Sequence, residues 1–112
     1  MRYSLLLVLF LAGIPNMAKA KVASYYGDKF AGKPTASGVP FDPGKLTAAH
    51  KTLPFGTKVQ VRNLKNDKTV IVEINDRGPY IHGREIDLSY AAAMQIAMID
   101  DGVAKVELTI LS

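Results

Sequence analysis

From residue 58 the chain alternates polar and apolar positions with period two, Lys58-Val59-Gln60-Val61-Arg62-Asn63. This pattern predicts a strand with Val59 and Val61 on one face. Asn66-Asp67 predicts a reversal, and Thr69-Val70-Ile71-Val72-Glu73-Ile74 returns as the partner strand of a β-hairpin. Val22 to Tyr26 reads as a first strand ended by Gly27-Asp28. Val103 to Leu111, with Val106, Leu108 and Ile110 alternating, reads as a last one. Leu46 to His50 fits either a short strand or a helical turn, and Pro54-Phe55-Gly56-Thr57 a turn. One segment has helical character. Ser89 is a good N-cap for Tyr90 to Met98, whose alanines favour helix, and Met94, Ala97 and Met98 are expected to share a face with Tyr90. Phe30 to Leu46 holds Gly32, Pro34, Gly38, Pro40, Pro43 and Gly44, too many breakers for a regular element. A loop that long in a small domain is more often functional than idle. Many strands, one short helix and irregular crossovers predict an all-β fold, a small β-barrel.

The N-terminal residues follow a different pattern. Arg2 precedes the apolar run Leu5 to Ala12, Ile14-Pro15 breaks it, and Ala18-Lys19-Ala20 fits a small-x-small cleavage site. The expectation is a signal peptide over 1–20 and one domain over 21–112, exported to the periplasm or cell envelope. An uncleaved anchor is the alternative, although the run is short of the ~20 apolar residues of a membrane span. The chain has no cysteine, so no lipid anchor on Cys is expected and no disulfide braces the fold. Its stability must come from the core. The net charge of +4 falls to +2 without Arg2 and Lys19, and no Lys/Arg cluster follows a phosphate backbone, which argues against nucleic acid. Neither His50 nor His82 stands at metal-ligand spacing, so no metal and no cofactor are expected. The domain is expected to be a monomer.

The candidate chemistry follows the strongest strand pattern. Thr69 to Ile74 runs into Asn75-Asp76-Arg77-Gly78-Pro79-Tyr80, and Gly83-Arg84-Glu85-Ile86-Asp87-Leu88-Ser89 follows closely. Strand and turn formation do not require Asp76, Arg77, Arg84 and Asp87 there. Two carboxylates and two guanidiniums delivered to one end of a sheet predict a polar site for a sugar or another hydroxyl-rich ligand.

Several motifs occur in a specific order: Ala23-Ser24-Tyr25-Tyr26-Gly27, Thr35-Ala36-Ser37-Gly38, Leu46 to Gly56, Val59-x-Val-x-Asn63, Asn75 to Pro79, and Gly83-Arg84-x-Ile86-Asp87-Leu88-Ser89-Tyr90-Ala91-Ala92-Ala93. Together they resemble the rare-lipoprotein-A (RlpA-like) family of bacterial envelope proteins, over essentially all of 21–112. The resemblance implies a six-stranded double-psi β-barrel, shared with plant expansins, with one short α-helix. It implies a lytic transglycosylase acting on peptidoglycan glycan strands stripped of peptide. Such an enzyme cuts between N-acetylmuramic acid and N-acetylglucosamine and leaves a 1,6-anhydro end.

Asp76 is the expected general acid/base. The sugar's own 6-hydroxyl is the nucleophile in this reaction, so one carboxyl group can protonate the leaving oxygen and then accept the hydroxyl proton. His50 matches a family position implicated in activity and is the expected catalytic partner, bonded to Asp76 or to a sugar hydroxyl. Asp87 matches a family acid, either a helix-end charge or a second carboxylate lining the cleft. Arg84 either pairs with Asp87 or joins Arg77 in binding substrate. Of Tyr25 and Tyr26, adjacent on a strand, one packs inside and one presents its ring, with Tyr26 the substrate-facing candidate. Thr35 and Ser37 offer hydroxyls from the long loop. The family places a Glu directly after the Thr-Ala-Ser-Gly motif, and here that position is Val39. Asp42 is the nearest replacement. A second reading, an expansin-like module that binds or loosens peptidoglycan without cutting it, follows from that valine.

Overall fold

The computed structural model describes residues 20–112, so the expected signal peptide lies outside the described residues except for Ala20. Six strands are formed: β1 (Lys21–Tyr25), β2 (Thr47–His50), β3 (Lys58–Asn63), β4 (Thr69–Asp76), β5 (Ile86–Leu88) and β6 (Ala104–Ile110). One helix, α1 (Tyr90–Gln95), links β5 to β6. The strands close into a barrel in the order β1-β5-β2-β4-β3-β6. The expected β3–β4 hairpin is present, with Val59 opposite Val72 and Val61 opposite Val70. Parallel pairing of β1 with β5 and of β2 with β4 supplies the crossovers that local pattern does not reveal. Leu46 to His50 takes the strand alternative.

Alternation fills the barrel. Val59, Val61, Val70, Val72, Ile74, Ile86, Leu88 and Val106 point inward, and Ala23 and Ala48 complete the lining. Each large aliphatic side chain so buried contributes about 1.5–3 kcal/mol. Ala92, Ala93, Ile96 and Met98 join this core from α1 and the turn after it. Asn63 closes the β3 end with a buried Nδ2–H donated to the Ile96 carbonyl at 2.8 Å. β6 follows the predicted alternation only in part. Val106 is fully buried and Leu108 packs against the core, but Ile110 is 59% exposed although it still pairs with Val59.

The helix is shorter than its sequence suggests. Ser89 caps it as expected, Oγ accepting from the Ala92 N–H. It ends at Ile96, because Ala97 adopts a left-handed conformation with φ 56°. The Met98 N–H donates to the Ala93 carbonyl and the Ala97 N–H to the Met94 carbonyl, the bond pair of a Schellman stop. Glycine usually occupies that left-handed position, and an alanine there conceals the stop. The expected shared face is lost with it: Met98 is buried, whereas Met94 is 58% exposed.

Ala97→Gly is expected to raise stability by about 1 kcal/mol, since a left-handed alanine carries a steric cost that glycine lacks. A rise in the denaturant midpoint at unchanged slope would check it. An unchanged or lowered midpoint would count against the strain.

Candidate functional site

The outer face of the barrel carries the polar residues. Ala23, Ala48, Ile86 and Leu88 face the core, so their neighbours Ser24, Ala49 and Asp87 face outward. Register aligns them: Ser24 lies opposite Asp87, and Asp87 opposite Ala49. Asp76 joins this row through an irregularity. Ala48 pairs with Ile74, but Ala49 pairs with Asp76 rather than Asn75, because the register shifts between Ala48 and Ala49. The bulge turns the Asp76 side chain outward. Four adjacent strands thus present Asp76, Ala49, Asp87 and Ser24 side by side. The two acids are separated by one strand, about 10 Å between their backbones. These side chains lie on the outer barrel wall, where β4 ends and β5 begins.

Asp76 is held by three donors. Its Oδ1 accepts from the Ala36 N–H at 2.8 Å and the Arg77 N–H at 2.9 Å. Its Oδ2 accepts from the Tyr26 hydroxyl at 2.5 Å. A carboxylate has about four acceptor positions, so one remains for a ligand. Burial, the bond to Asp76, and the Asp76 and Asp87 charges push the Tyr26 phenol well above its ordinary value. It therefore stays protonated and donates to Asp76. The expected division of Tyr25 and Tyr26 holds. The Tyr25 hydroxyl donates inward to the Ile99 carbonyl, while Tyr26 faces out. Phe41 stacks on one face of its ring, with centroids 4.4 Å apart.

The long loop is tied to the same acid. Pro34 and Pro40 form a bridge that folds Thr35–Val39 into a tight turn. Thr35 is buried and its hydroxyl donates to the Val39 carbonyl at 2.6 Å. Thr35 and Ser37 also bond each other, so both hydroxyls brace the turn. The Ser37 N–H reaches the carbonyl of Asn75, the bulge residue. Val39 is 53% exposed on this turn. Asp42 caps its own reversal through the Gly44 N–H at 2.9 Å.

The other candidates separate into two groups. Arg84 donates to Ser24 Oγ at 2.9 Å and to Asp87 Oδ1 at 3.2 Å, while the Ser24 hydroxyl bonds Asp87 as well. Asp87 is thus a strand residue with two fixed partners rather than a charge at the helix end, and Arg84 takes the pairing alternative. The expected bond between His50 and Asp76 is not formed. His50 is buried at the end of β2 and pairs with Glu85 at 3.0 Å. Arg77 turns away from Asp76, donating to the carbonyls of His50 and Leu53 and lying over the Phe55 ring. Glu85 and Phe55 carried no role in the sequence reading. Glu85 stands two residues before Asp87 on the approach to β5, a spacing that becomes informative only once β5 is known to be a strand.

A closed six-stranded barrel with this outer polar row defines a class. Residues 18–108 match the lytic transglycolase family of double-psi β-barrels, and the chain belongs to that family. It is 59% identical over 101 residues to a protein of Treponema pallidum, covering 90% of this chain and 31% of that one. It is 55% identical over 89 residues to one of Aquifex aeolicus, covering 80% and 39%. Both are named "Probable endolytic peptidoglycan transglycosylase RlpA". The chain therefore spans about a third of the length of these curated relatives. Among solved structures, Streptomyces papain inhibitor aligns with TM-score 0.67 at 27% identity, over 84% of this chain and 94% of that one. An expansin of Clavibacter michiganensis aligns with TM-score 0.65 at 17% identity, over 83% and 50%, and shares the fold.

Tyr26→Phe removes the donor to Asp76 and is expected to cost about 1 kcal/mol at neutral pH. The folded-state phenol lies above its ordinary 10.0, so its contribution is complete below that pH and is lost as pH rises beyond it. Denaturant midpoints of the wild-type chain should therefore fall more steeply above pH ~10 than those of the variant. Parallel alkaline curves would rule this out.

Proposed function

We propose that this chain is an exported, envelope-directed enzyme that cuts peptidoglycan glycan strands endolytically. It acts between N-acetylmuramic acid and N-acetylglucosamine on peptide-free strands and leaves 1,6-anhydro ends. The observation that carries the reading is the Asp76 carboxyl group. It is aimed outward by a β-bulge, fixed by three donors, and left with one acceptor position. As the acid, Asp76 gives its proton to the glycosidic oxygen while the bond from that oxygen to the anomeric carbon breaks. The 6-hydroxyl of the muramic residue closes on the anomeric carbon and returns a proton to Asp76. The Tyr26 hydroxyl and the two backbone N–H groups are placed to hold the carboxylate form in that second half. No water, metal or cofactor enters. Asp87, in the same row, binds sugar hydroxyls at the margin of the cleft, held in place by its pair with Arg84. Family membership and the names of the relatives support this reading.

One observation favours a second reading, a module that binds glycan without cutting it. Val39 is exposed on the very turn whose Ala36 N–H holds Asp76, and a valine neither gives nor takes a proton. Asp42 is engaged in its own turn.

Mature protein incubated with peptide-free sacculi is expected to release 1,6-anhydro products, and Asp76→Asn to reduce release by about 10²-fold or more. Val39→Glu is expected to raise it. Binding without product in the wild-type chain, with product gained only in the Val39→Glu variant, would sink the enzymatic reading in favour of the module.

A further inference from the structure

A connected set of contacts runs from His50 through Arg77 to the Phe55 turn. His50 Nδ1 accepts from the Thr52 N–H at 3.2 Å and the Leu53 N–H at 3.1 Å. A ring nitrogen that accepts carries no proton, so the neutral imidazole holds its hydrogen on Nε2 and donates it to Glu85. Both nitrogens are occupied within the protein, and the residue is only 7% exposed. Neither is free to exchange a proton with a sugar. What His50 does hold is the segment after it. The His50 and Leu53 carbonyls, at either end of the loop wrapped around Nδ1, accept from Arg77 Nη1 at 3.2 and 2.8 Å. The Arg77 guanidinium then lies 4.1 Å from the centroid of the Phe55 ring. The Phe55 turn is closed by the Thr57 N–H on the Pro54 carbonyl, with Gly56 at φ 91°. The Gly56 N–H donates to the Ile74 carbonyl at 2.8 Å, pinning the turn to β4 two residues before Asp76.

We propose that Phe55 is a stacking platform for a pyranose ring beside Asp76, and that His50 is the positioning residue that sets it. The inference rests on the glycan reading above. Phe55 is 44% exposed, although its turn, its backing cation and the loop beneath it are each fixed by hydrogen bonds. Arg77 lies over the ring without covering all of it. An aromatic face carries negative charge density and attracts the weakly positive C–H groups on the apolar side of a sugar. A ring mounted this rigidly loses little conformational entropy on binding, which is what a subsite requires. Arg77 links the platform to the acid, since its N–H bonds Asp76 Oδ1 while its guanidinium lies over Phe55, and the Gly56 N–H ties the same turn to β4 at Ile74.

Calorimetry with a soluble peptide-free peptidoglycan glycan fragment tests both parts. Phe55→Ala is expected to weaken binding about tenfold and Phe55→Trp to preserve it, while the exposed outer-face control Ile71→Ala is unchanged. His50→Asn places an amide oxygen where Nδ1 stands and keeps an acceptor for Thr52 and Leu53. His50→Gln reaches Glu85 but loses that acceptor. The asparagine variant is therefore expected to bind close to wild type, and the glutamine variant as weakly as Phe55→Ala, all with cooperative melts. Unaltered binding by Phe55→Ala overturns the platform. Asparagine as damaging as glutamine overturns the positioning role, because the imidazole itself would then be required. A wild-type chain that binds no glycan fragment overturns the functional reading and this one together. Wild-type binding that Phe55→Ala leaves intact overturns this one alone.

Discussion

The barrel closes through a strand of four residues. β2 hydrogen-bonds on both sides, parallel to β4 and antiparallel to β5, and so joins the hairpin half of the sheet to the β1–β5 half. The register shift between its two alanines decides what the outer wall carries. With regular pairing Ala49 would face Asn75, and the Asp76 side chain would fall on the core face, since a one-residue slip reverses every side chain. The bulge sends it outward, into line with Asp87 and Ser24. Small side chains at Ala48 and Ala49 suit a strand enclosed by two neighbours and covered on both faces, and both are almost fully buried.

From that constraint the rest of the site follows. A carboxylate on the outer wall needs partners, and they come from three separate parts of the chain: Tyr26 beyond β1, Ala36 in the long loop and Arg77 on its own segment. The loop has almost no regular structure, yet it is anchored at Asp76, at the Asn75 carbonyl and by Phe41 stacked on Tyr26. This settles why a stretch so rich in glycine and proline is held in one place. It also fixes where Val39 lies, since that side chain rides on a turn anchored to the acid.

The charged residues beside Asp76 have different tasks. Arg84 is spent on Asp87 and Ser24, and Arg77 on two carbonyls and an aromatic ring. His50 has both ring nitrogens engaged within the protein. No buried polar side-chain atom among the described residues is left without a partner, as expected where an unmade bond would cost about 1–3 kcal/mol.

Periodicity in the chain was enough to reveal the β3–β4 hairpin, the strand character of β1 and β6, and the Ser89 cap. Each is a local preference written within a few consecutive residues. The motif order was enough to locate the family and to single out Asp76. Three features escaped. β5 has only three residues, too few to show a period. The end of α1 is set by an alanine in a conformation that glycine normally signals. The partners of His50, Arg77 and Tyr26 depend on pairings between strands far apart in the chain. Residue types state which hydrogen bonds a side chain is able to make. Which of them it makes depends on strand order and on one bulge, and these arise from burying the aliphatic faces of six strands at once.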